Sequence, residues 1–134
     1  MFTARVRLVA LAALAAVGLT ACSSNTEKIG DAVDQVHTAG ASVSIASELN
    51  TGGGLPATSL DTSIVDALTE IGDAESTLTE LQPATAEVAS RDEALARIRN
   101  VEDAVLDLQA ALANGGDLGQ GRDDLEAALT ELEQ

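Results

Sequence analysis

Residues 60–81 read LDTSIVDALTEIGDAESTLTEL, and their apolar positions decide the fold class. Leu60, Ile64, Ala67, Ile71, Ala74, Leu78 and Leu81 are spaced 4-3-4-3-4-3. That is the seam of a coiled-coil-like helix, since a step averaging 3.5 residues returns each side chain to one stripe. Leu68 widens the stripe. A half-buried strand would alternate every second residue, and this stretch does not.

Working outward, a second seam runs Ala94, Ile98, Val101, Val105, Leu108, Leu112, again spaced 4-3-4-3-4. A weaker one runs Ile29, Ala32, Val36, Ala39, Val43, Ala46, where Gly40 and several Ser and Val residues lower helix propensity. A short final segment puts Leu125, Ala128, Leu129 and Leu132 on one face. The punctuation between them fits. Thr51-Gly-Gly-Gly54 with Pro56 is a loop, and Thr58-x-x-Asp61 resembles a capping box opening the second helix. Pro83 stops or kinks that helix. Ser90-x-x-Glu93 is a second capping box, so the third helix is expected to start near residue 90, with a start at Pro83 as the alternative. Asn114-Gly115-Gly116 closes it, Gly115 suiting a left-handed cap. Asp117 to Gly121 reads as a loop or frayed turn, with Asp123 and Asp124 at the start of the last helix. Connections this short make neighbouring helices antiparallel. The expected fold is therefore all-α, an up-down antiparallel bundle of three main helices and a shorter fourth. Helices of about 22 residues would be about 33 Å long.

The chain has 134 residues, enough for one domain. It carries 22 acidic and 7 basic side chains, a net charge of −15, which repels phosphate backbones and excludes nucleic acid as a partner. One cysteine allows neither an internal disulfide framework nor a cysteine-based zinc site.

Arg5 and Arg7 precede an apolar run, Leu8 to Leu19, that is shorter than the roughly 20 residues of a comfortable transmembrane span. It reads as the hydrophobic region of a secretory signal. The run ends in Leu19-Thr20-Ala21-Cys22. This tetrad resembles the lipobox of bacterial lipoproteins: an aliphatic residue, a small one, Ala or Gly, then cysteine. Small residues let the chain enter a membrane peptidase extended, and only a thiol accepts a thioether-linked diacylglycerol. The resemblance implies export, lipidation of Cys22 and cleavage between Ala21 and Cys22. It also implies anchoring at the outer face of the bacterial cell membrane, or at the outer membrane of a two-membrane envelope. Ser23 stands where an Asp would favour inner-membrane retention. One acyl chain holds a protein marginally at about 0.8 kcal/mol per buried CH₂, whereas two or three hold it firmly. The chain thus divides into a signal peptide (1–21), an acylated cysteine with a polar tether (22–28) and an acidic helical domain (29–134).

Removal of residues 1–21 takes away Arg5, Arg7 and Phe2, leaving 5 basic against 22 acidic side chains, a net charge of −17 and no aromatic ring. Recognition by ring stacking and aromatic interface anchors are both closed to such a domain. Val, Ile, Leu and Met make up 26 of its 113 residues, just above the range in which highly charged chains stay disordered. Many seam positions are Ala, so the core is thin and self-association is a natural supplement.

Candidate chemistry is sparse. His37 is the only imidazole, with Asp34 three residues before it as a conceivable weak metal partner; a surface or boundary role outweighs that. No Gly-x-Ser-x-Gly occurs, and the serines lack an evident base. The stretch Asn114 to Asp124 fails as a calcium loop, having Gly116 and Leu118 where acidic ligands should alternate, and fails as a phosphate loop without Gly-Lys-Ser/Thr. Asp73 with Glu75, and Asp92 with Glu93, are close in sequence but diverge on a helix. Glu87–Arg91, Glu93–Arg97, Arg99–Asp103 and Arg122–Glu126 read as i,i+4 pairs on solvated faces. An enzyme is not expected, and neither cofactor nor metal is implied. The leading expectation is a lipid-anchored, non-enzymatic interaction module built on Ile64, Ile71, Leu78, Ile98, Val105 and Leu112, binding itself or another envelope protein. The alternative is a carrier that opens to hold a lipid or other small apolar ligand.

Overall fold

The computed structural model describes residues 24–134, so the stretch expected to be a signal peptide (1–21) and the Ala21–Cys22 junction lie outside the described residues. Four helices follow one another: α1 (Asn25–Thr51), α2 (Ala57–Glu80), α3 (Thr85–Asn114) and α4 (Leu118–Leu132). No strand occurs among the described residues. Helix α1 packs on each of the other three, α2 packs on α3, and α3 packs on α4.

Cross-helix partners fix the directions. His37 meets Glu133 and Ser44 meets Glu126, so numbers along α1 rise by seven as those along α4 fall by seven. Asn25 reaches the carbonyl of Gln82 and Gln35 that of Glu70, which makes α1 and α2 antiparallel as well. The up-down bundle expected from the short connections is the observed fold.

The seams are where the spacing placed them. Val36, Val43, Leu60, Ile64, Ile71, Leu78, Ile98, Val101, Val105, Leu108 and Leu125 are completely buried and form one continuous core. Of the six residues expected to build the module, only Leu112 is half-buried, lying in the last turn of α3.

The helix starts differ from expectation. Ser24 caps α1, its hydroxyl accepting from the Glu27 amide at 3.2 Å, so residues 25–28 form the first turn and not a tether. Helix α2 starts before Thr58: Pro56 is the N-cap, and its carbonyl accepts from the amides of Ser59 (3.0 Å) and Leu60 (3.2 Å). Thr58 is inside the helix, its carbonyl taking the Thr62 hydroxyl. The helix stops before Pro83 and is not merely kinked there, since α2 ends at Glu80 and Leu81 is already extended. Helix α3 then starts at Thr85, not near Ser90. Its cap is half of a box: Glu87 Oε2 accepts from the Ala84 amide at 3.3 Å, while Ala84 has no side-chain acceptor to return. Asn25 adds to this end by donating to Glu87 Oε2 at 3.0 Å.

Gly115 ends α3 in the left-handed conformation expected of it (φ 67°, ψ 30°). The next turn is helical and not frayed. Asp117 is the N-cap of α4, accepting from the Gln120 amide at 3.0 Å, which displaces Asp123 and Asp124 into the second turn. Gly121 is buried there against Leu108, and a Cβ at this position would stand 2.8 Å from Leu108 Cδ1.

Candidate interaction groove

On α1, Asp31, Gln35, Thr38 and Ser42 recur every three or four residues and form a stripe beside the core. Across from it, α2 presents Ser63, Asp66 and Glu70. Between these walls lies an open groove of about 600 Å³ whose floor is Ala39 and Ala67. The groove is open over Ala39 and Ala67 because neither alanine has a side chain long enough to fill the space between the helices.

Its electrostatics are one-signed. Asp31, Asp34, Asp66 and Glu70 line it, and among the described residues no Lys or Arg does. Gln35 crosses it, donating from Nε2 to Glu70 Oε2 at 2.7 Å and to the Glu70 carbonyl at 3.2 Å. Ser42 and Ser63 donate back to the carbonyls of Thr38 and Ser59 at 2.9 and 3.0 Å. Beyond Ser42 the α1 stripe continues into Ile45 and Leu49, which are 59% and 51% exposed. Leu55, half-buried, borders them, its amide donating to the Leu49 carbonyl at 3.2 Å. Among the described residues the other exposed large apolar side chains, Val65 and Leu106, are on α2 and α3.

The residues singled out in the sequence are dispersed. His37 is paired with Glu133, the C-cap of α4, its Nε2 3.1 Å from the carboxylate, and not with Asp34. No group of three His, Cys, Asp or Glu side chains able to hold a metal occurs among the described residues. Asp92 and Glu93 serve different cations, Arg91 at 3.0 Å and Arg97 at 2.6 Å. The expected Glu87–Arg91 pair is replaced, since Glu87 is taken by the cap and Arg91 by Asp92 and the Leu81 carbonyl. Arg99 turns from Asp103 to Glu75 of α2 at 3.7 Å, whereas Arg122–Glu126 forms at 3.8 Å. Burial raises the Glu75 carboxyl above the usual carboxylate range; nearby Glu102 and Asp103 raise it further and Arg99 opposes them. The Asn114–Asp124 stretch is spent on helix ends, with Asn114 donating to the Ala110 carbonyl and Asp124 accepting from Gln120.

No single-helix pattern announces the groove, because it depends on which alanine of α2 meets Ala39. Ile45 and Leu49 did carry a signal: both are large, apolar and off the Ile29–Ala46 seam. No helix among the described residues is long and apolar enough to cross a membrane. Comparison with protein-family models, with curated proteins and with solved structures gave no match.

Proposed function

We propose that this chain is a lipid-anchored, non-enzymatic interaction module of the bacterial cell envelope. In this reading Cys22 carries the lipid at the outer face of the membrane, and the helical bundle displays a docking surface to another envelope protein. The observation that carries the reading is the α1–α2 groove, lined by four carboxylates, with exposed Ile45 and Leu49 further along the same stripe of α1. Large apolar side chains on one face of a highly charged domain mark contact surfaces. The lipobox tetrad supports the anchoring half, and the tether it leaves is short, since α1 begins three residues after Cys22.

The test has two readouts in one strain. Metabolic labelling with an alkyne fatty acid should mark the wild-type chain and leave Cys22→Ser unlabelled and released from membranes. A photo-crosslinker at Ser42 should then join the wild-type protein to a defined envelope protein. Labelling that persists in Cys22→Ser overturns the anchor. An apolar small molecule recovered by organic extraction, with no protein crosslink, overturns the interaction module in favour of a carrier.

A further inference from the structure

We propose that the α1–α2 groove docks a cationic amphipathic helix of its protein partner. The partner's Lys and Arg side chains lie along Asp31, Asp34, Asp66 and Glu70, and its apolar side chains rest on Ile45 and Leu49. The proposal rests on the interaction-module reading and gives that reading a partner chemistry.

Shape comes first. Asp31 and Leu49 are 18 residues apart on α1, about 27 Å of helix axis. That is about five turns, the length of one ordinary helix. The Ala39–Ala67 floor leaves a furrow between two helix ridges, the surface into which a third helix sets its own ridge of side chains. With no aromatic residue on either wall, stacking on a sugar or base is not available, and aliphatic contact with a helix is.

Charge then selects the occupant. A second copy of the chain would bring 22 acidic against 5 basic side chains to a groove already lined by four carboxylates. Its arginines are also engaged within the bundle: Arg91 with Asp92, Arg97 with Glu93, Arg99 with Glu75 and Arg122 with Glu126. A cationic partner meets no such opposition and is steered toward the groove by the field of the whole domain. The two ends differ in kind, carboxylates at the Asp31 end and apolar side chains at the Leu49 end. The complementary helix is therefore divided too, basic in one half and apolar in the other, along a single face.

The test uses the purified full chain in a neutral detergent and two labelled 18-residue peptides of identical composition. One carries four Lys in its first half and four Leu in its second, all on one helical face. The other carries the same residues with Lys and Leu on opposite faces. Fluorescence anisotropy should show the first peptide binding at least about tenfold more tightly. Ile45→Ser with Leu49→Ser should remove about tenfold of that affinity while keeping its salt dependence. Asp34→Asn with Asp66→Asn and Glu70→Gln should flatten the salt dependence. Far-UV circular dichroism matching wild type shows that these exposed changes leave the bundle intact. Equal affinities for the two peptides, or full affinity in the Ile45/Leu49 variant, overturn the proposal, as does crosslinking of two copies through Ser42. If the patterned peptide fails while the full chain crosslinks to an envelope protein through Val65 or Leu106, the groove assignment falls and the module stands. If no position crosslinks to any protein, the module itself falls.

Discussion

Helix α1 has two flanks that use small residues to opposite ends. On the α4 side, Gly40 makes room for Leu129: a Cβ there would lie 2.7 Å from Leu129 Cδ2. The absent side chain is replaced by a leucine from the neighbour, and the seam closes over Leu125, Leu129 and Leu132. On the α2 side, Ala39 shares the floor with Ala67, and the space between the helices stays open. A small residue creates a groove only when the residue opposite is small too. The first flank is a stability device, and the second is a surface with room for something else.

The largest expected break in that contrast is Leu129→Ala. It removes the side chain that seats on Gly40 and should cost about 2–4 kcal/mol in urea denaturation followed by circular dichroism. A loss no greater than that of a surface change would mean the α4 flank is as loosely filled as the groove. Glycine substitutions sharpen the same point. Gly72→Ala meets nothing within 4 Å and should gain about 0.5–1 kcal/mol from helix propensity. Gly40→Ala should show no such gain, because Leu129 has to move; equal gains at both sites would dissolve the distinction. On the open flank, Ile45→Ser with Leu49→Ser should leave stability within about 0.5 kcal/mol of wild type, since neither side chain belongs to the core.

The smallest effect concerns Glu75, between α2 and α3. Its carboxyl is raised in the folded chain, so the folded state binds a proton more readily than the unfolded state, and this group's contribution to stability falls as pH rises through the raised value. Glu75→Gln should therefore be slightly more stable than wild type at neutral pH. The difference should shrink on acidification as the wild-type carboxyl takes up its proton. Denaturation midpoints compared across pH check it; a gain that grows toward acid would reverse the assigned cause.

The fold was legible because burial repeats along each helix separately. The spacing from Leu60 to Leu81 and from Ala94 to Leu108 needs no knowledge of neighbours, and those residues are the core. Caps were less legible. Thr58-x-x-Asp61 and Ser90-x-x-Glu93 match a capping box as strings, yet both lie inside helices begun earlier by Pro56 and Ala84. A hydroxyl and a carboxylate three residues apart suit a solvated helix face as well as its start, and Thr58 and Ser90 are on such faces. Glycines at 115, 116, 119 and 121 masked the true cap at Asp117, although Gly121 is there to approach Leu108 closely. The groove is a property of two helices in register. Ala39 reads as one more seam position until Ala67 is known to face it.

The α1–α4 seam also orders events in time. The contacts of α1 with α2, of α2 with α3 and of α3 with α4 join segments adjacent in the chain, and local closures of this kind form quickly. The pairings of His37 with Glu133 and of Ser44 with Glu126 span most of the domain. Loop-closure entropy makes theirs the costliest closure, so it is expected to come last and to leave the Gly40 notch and the leucines of α4 unshielded until then. A chain lacking its last helix is therefore expected to expose an apolar slit along α1 at Gly40. The arrival of Leu125, Leu129 and Leu132 ends the interval in which the protein is most open to proteases and to its own neighbours.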